Sequence, residues 1–145
     1  MGNEVLNKPP KWFWVAGVAA LLWNSMGAKA YLDDAYMSIE ELEKMTQAQR
    51  LLFESQPAWT TGAFAIAVWG GVLACVLLLL RKKWAVPVFV ISLIGILAHM
   101  IYVFFLSNAM EVYGPGGMVL PILVIVIGIL MVFFSRTAVR KGWLS

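Results

Sequence analysis

Three stretches of this chain, about 59–80, 85–107 and 118–135, contain no lysine, arginine, aspartate or glutamate, and a fourth, about 12–31, contains only Lys29. An α-helix needs roughly 20 mostly apolar residues to cross about 30 Å of hydrocarbon, and inside that layer every backbone polar group must be satisfied within the segment. Each stretch therefore reads as a transmembrane helix. The expected fold is all-α and integral to the membrane, a single domain over 1–145 with four spans arranged as two hairpins. A composition that is 61% hydrophobic and 13% charged agrees with this, being too apolar for a domain with a water-facing surface. The largest remaining piece, about 32–58, is too short for a separate soluble domain.

The first stretch also resembles a secretory signal, because Lys8 and Lys11 precede an apolar run that ends in Ala28-Lys29-Ala30, a small-x-small cleavage pattern. The run is longer than a usual signal core, so it is expected to be retained as a span.

Orientation follows from the basic residues. In a four-span arrangement Lys8, Lys11, Arg81, Lys82, Lys83, Arg136, Arg140 and Lys141 fall on one side, and only Lys29, Lys44 and Arg50 on the other. The positive-inside bias makes the first side cytoplasmic and places both termini there. Asp33, Asp34, Glu40, Glu41, Glu43, Glu54 and Glu111 then face outward. The net charge of +3 thus reflects bases beside anionic lipid headgroups and gives no reason to expect nucleic acid. Trp12, Trp14, Trp84 and Trp143 at the inner boundary, with Trp59 at the outer one, are expected as interfacial anchors. "RKKW" and "RKGW" close the second and fourth spans, and read as two copies of such an anchor rather than as an internal repeat.

Membrane helices associate through small residues that let backbones approach. The second span carries Ala63, Ala67, Gly71 and Cys75 at four-residue spacing, and the first carries Ala16, Ala20, Asn24 and Ala28. Ser92, Gly95, His99 and Tyr102 share a face of the third. The fourth has only Gly128 and is the expected lipid-facing helix. In the first outer loop, Ser38 and Glu41 form a capping-box pattern, and Ile39, Leu42, Met45, Leu52 and Phe53 fall mostly on one side. This predicts one amphipathic helix over about 39–55, stopped by Pro57 and lying on the membrane surface, the mouth of the bundle or a partner. "EVYGPGGM" reads as a tight second outer turn.

Polar side chains within hydrocarbon are costly and need partners, which singles out Asn24 and His99. Counted from Trp12 and Trp84, they lie about 18 and 22 Å into the membrane. At that shared depth, Asn24, His99 and Tyr102, with Trp23 and Trp69, form the candidate ligand-binding group, opening outward. Hydrogen-bonding groups mixed with flat rings suit a small neutral solute such as a sugar. Asn24 equally suits interhelical hydrogen bonding, and a partnered His99 would be a packed polar cluster. No catalytic triad, paired intramembrane carboxylates, metal-ligand cluster or phosphate loop is recognisable, so no enzymatic activity, metal or cofactor is expected. The single cysteine, Cys75, reads as a packing residue.

Together "PPKWFW", "LLWNSMG", "LLLLRKKWAVPVFVISLIG", "YGPGG" and "RKGWL" resemble a group of small four-helix bacterial inner-membrane proteins, some of them labelled as sugar transporters. The resemblance covers nearly the whole chain and implies a multi-pass protein of the bacterial inner membrane. Two functions stand side by side. One is a homo-oligomeric transporter or binder of a small neutral solute. The other is a non-catalytic accessory or structural subunit held to other membrane subunits through its small-residue faces and outer helix.

Overall fold

A computed structural model describes residues 7–145 of the chain, and within them all regular structure is helical. Helix α1 spans Lys11–Ala35 and follows Pro9-Pro10, whose fixed extended geometry holds the chain out of a helix until Lys11. Ser38 and Glu41 form the expected reciprocal cap, and α2 runs over Ile39–Glu43. It does not continue. Thr46 is extended and makes a second capping box with Gln49, so that α3 starts afresh at Gln47–Glu54. The single helix expected over 39–55 is therefore two. The competing signal is the "TQAQ" within "MTQAQ": its threonine satisfies the first amides of a new helix, which a continuing turn would leave to the backbone.

Pro57 precedes α4 at Ala58–Leu79, and a tight turn leads to α5 at Ala85–Ile101. The helical run of α5 widens into a π turn at Tyr102–Leu106, then stops where Ser107 is extended and its hydroxyl accepts from the Ala109 amide. A short α6, Ala109–Tyr113, and a 3-10 turn, Pro115–Met118, replace the simple expected turn before α7 at Val119–Arg140. Three helical runs, Ala58–Leu79, Ala85–Leu106 and Pro115–Arg140, are long and apolar enough to cross a membrane. The 25 residues of α1 suffice in length, but Trp12, Trp14, Trp23, Asn24 and Lys29 dilute its hydropathy.

The helices pack in the order α1, α4, α5, α7, each antiparallel to the next. The small stripe of α4 is the contact face as expected, with Ala63, Ala67 and Cys75 buried. On one side it receives α1, where Gly17 faces Leu79, Gly27 faces Val68, and the Asn24 side chain lies against Gly71. On the other it receives α5 at closer range. A Cβ at Gly95 would come 2.9 Å from both the Ala63 carbonyl oxygen and the Ala67 amide nitrogen, so backbone meets backbone there. The Ser92 hydroxyl donates to the Ala67 carbonyl at 2.6 Å, the hydrogen bond that such close approach permits. Helix α7 is peripheral, and only Ser135 and Ala138 along it are buried.

At the end of the bundle where α1 begins and α7 stops, α1 and α7 are joined by rings. Phe13 stacks on Phe134 at 5.8 Å and meets Trp143 edge-on at 5.7 Å, while Trp12 meets Trp143 at 5.4 Å. Trp143, expected as a boundary anchor, is instead buried in this cluster, whereas Trp84 of the matching motif is 72% exposed. The motifs differ because the left-handed residue that ends each helix occupies a different place, Gly142 (φ 77°) in one and Arg81 (φ 58°) in the other. After each, an amide closes back on the helix, Trp143 to the Ala138 carbonyl and Lys82 to the Leu77 carbonyl, both at 2.9 Å.

Arginine in a left-handed conformation costs on the order of 1 kcal/mol relative to glycine. Here the side chain offsets it, donating from Nε to the Trp143 carbonyl at 2.8 Å and from the guanidinium to the Asn7 carbonyl at 2.9 Å. Arg81→Ala loses both bonds and keeps the strain, while Arg81→Gly loses the bonds alone. Chemical unfolding in detergent should therefore rank Arg81→Gly above Arg81→Ala by about 1 kcal/mol, with both below wild type. Equal stability of the two variants would show that the turn is not left-handed in the membrane.

Candidate functional site

Along α4, the successive partners of its two flanking helices give each polar residue a level. Asn24 donates from Nδ2 to the Ala20 carbonyl at 2.9 Å and contacts the Cys75 sulfur at 3.5 Å, placing it beside Gly71 and Cys75. Ser92 is level with Ala67. His99 Nδ1 lies 3.4 Å from the Thr60 carbonyl, in the first turn of α4, and its ring is tilted against Phe64 at 5.1 Å. From Gly71 to Thr60 is about 16 Å at the rise of an α-helix. Asn24 and His99 are thus not at the shared depth expected for them. The reason is that the two tryptophans from which depth was counted are not level. Gly17 already faces the last residue of α4, so Trp12 lies about 8 Å beyond that helix, whereas Trp84 directly precedes α5.

The three polar groups nevertheless border one space. Beyond the ring cluster α1 and α7 separate, and a cavity of about 370 Å³ opens between them over the α4 and α5 surfaces. Trp23, Asn24 and Gly27 of α1 form one wall, and Val124, Gly128 and Met131 of α7 the other. Phe64, Ala67, Ser92, Ile96 and His99 form the floor. Trp23, Asn24 and His99 thus border this cavity. Trp69 and Tyr102 are not among its lining residues: Trp69 meets Tyr31 edge-on at 6.2 Å, and Tyr102 is buried with its ring edge-on to Trp59 at 6.0 Å. The expected cluster of Asn24 with His99 and Tyr102 is not formed.

Ser92 was legible only as a packing residue, and its place on the His99 face was the available signal. Phe64 and the α7 wall carried none, since they require knowing that α7 packs on α5 while standing away from α1. Chemically the cleft is an elongated, apolar slot with few polar handles. The Ser92 hydroxyl is committed to the Ala67 carbonyl, and no buried side-chain nitrogen or oxygen among the described residues lacks a partner. Asn24 Oδ1 makes no hydrogen bond among those residues and lies against Gly71 of α4. No group of three or more His, Cys, Asp or Glu that could hold a metal ion occurs among them.

At the end of the bundle away from the ring cluster, α3 packs by Leu52 against Ala109 and Met118, so the apolar side of the first loop covers the α5–α7 connection. No family model, curated protein or solved structure matches the chain.

Proposed function

We propose that this chain is a non-catalytic inner-membrane protein with four spans and both ends cytoplasmic, and that the cleft between α1 and α7 receives a small neutral solute. The observation that supports it is the cleft itself: an apolar space of about 370 Å³ bordered by Trp23, Asn24 and His99. Small-molecule sites are commonly 300–1,000 Å³, mostly apolar, with a few placed polar groups. Among neutral solutes the lining favours a slender, largely apolar molecule with one or two hydroxyl or carbonyl groups. A free sugar carries a hydroxyl on most carbons, and each one buried without a partner costs about 1–3 kcal/mol. Because α1 and α7 leave the cleft open between them, passage of the solute would take place at the contact between copies of the chain. The accessory-subunit reading draws on the same opening, which would then hold a helix of another protein.

Thermal unfolding of the purified protein with a panel of neutral sugars and medium-chain alcohols separates these readings. A ligand bound only by the folded state raises stability by mass action, about 2.7 kcal/mol at a concentration one hundred times its Kd. An alcohol is expected to stabilise wild type, and Asn24→Ala to weaken its binding about tenfold, the loss of roughly one hydrogen bond. A sugar effect sensitive to His99→Ala would reassign the solute class. No effect from any solute, with a foreign chain constantly co-purifying, would favour the accessory role.

A further inference from the structure

A second groove lies at the opposite end of the molecule, on the side where α5 meets α7. It has a volume of about 310 Å³ and is lined by Lys83, Arg136 and Arg140 with Val86 and Val139. Three cations and two valines border it. Arg136 and Arg140 have no carboxylate partner among the described residues; Arg140 donates to the Thr137 hydroxyl at 3.2 Å. The two arginines are one turn apart on the same helix face, an arrangement in which like charges oppose helix formation by a few tenths of a kcal/mol. The negative end of the α7 dipole favours Arg140 in the last turn but acts less on Arg136, a turn further in.

We propose that this groove binds the phosphodiester headgroup of an anionic membrane lipid. An anion between Arg136 and Arg140 removes their repulsion, and guanidinium groups match phosphate oxygens in pairs. Both arginines stand at the end of a membrane-spanning helix, where headgroups lie, and Val86 and Val139 provide an apolar wall for the first carbons of an acyl chain. The site requires the inner boundary of α5 and α7 only, so it does not depend on the solute cleft or on α1 crossing the membrane.

Trp84 is largely exposed and adjoins Lys83, which makes its fluorescence a reporter. Full-length protein in neutral detergent is titrated with brominated phosphatidylglycerol and, separately, with brominated phosphatidylcholine. Quenching is expected at lower concentrations of the anionic lipid. Arg136→Gln with Arg140→Gln should weaken that response at least about tenfold, and Arg136→Lys with Arg140→Lys should recover only part of it, since an ammonium keeps the charge without the paired geometry. A control with Lys11→Gln and Lys82→Gln removes the same charge outside the groove and should change it little. An equal loss in the control would mean that only a diffuse field acts, and would overturn the site. Inorganic phosphate at millimolar concentration is expected to leave the lipid response intact; displacement of the lipid by it, dependent on Arg136 and Arg140, would reassign the groove to a free oxyanion.

Discussion

Leucine at position 95 is expected to lower the stability of the bundle by about 3 kcal/mol or more, the upper range for overpacking a close-packed interior. The obstacle is backbone on both sides, the Ala63 carbonyl and the Ala67 amide, so α4 and α5 must separate. Separation also breaks the hydrogen bond from Ser92 to Ala67. Leucine at Gly71 should cost less but still heavily, because a Cβ there collides with the Asn24 side chain. At Gly128 the nearest atoms are the flexible tips of Ile96 and Leu93, at 3.0 and 3.2 Å, and leucine should cost about 1 kcal/mol. Gly62 has open space around its would-be Cβ, so it serves as the control with no loss. Unfolding each variant in detergent checks the order; equal losses at Gly95 and Gly128 would show that α7 is packed as tightly as α5.

The second large effect is at the ring cluster that joins α1 and α7. Phe13 is fully buried and touches Trp14, Phe134 and Trp143. Phe13→Ala should cost about 3–5 kcal/mol, the usual loss for emptying a buried aromatic site. Trp84→Ala, at a ring exposed to its surroundings, should stay within about 0.5 kcal/mol of wild type. Since rings are the tie between α1 and α7, Phe13→Ala should also free α1 at this end. Faster proteolysis near Lys11, absent in Trp84→Ala, is the measurement that detects it.

Much of the bundle was legible because it depends on local pattern. The long uncharged runs became helices within a few residues of their expected bounds, and the four-residue spacing of Ala63, Ala67, Gly71 and Cys75 located the packing face of α4. What depends on neighbours was not legible. Nothing in the sequence fixes which helices stand apart, so the cleft between α1 and α7 has no signature; the His99 face brings in Tyr102, and depth alone brings in Trp69. Trp143 looked like Trp84 because both follow a basic pair, yet one enters the core after a left-handed glycine and the other begins a helix. An amphipathic pattern runs through Thr46 and masks it, while the competing cap decides the break.

The cleft lies within the membrane along its whole length only if α1 crosses it. An impermeant maleimide applied to intact cells tests this with single cysteines introduced on a Cys75→Ala background. Gln47→Cys should be labelled from outside, while Lys8→Cys and Lys82→Cys should react only after lysis. Finding Lys8→Cys and Gln47→Cys accessible from the same side would contradict it, leaving three spans and an α1 that lies against the bundle without traversing the bilayer.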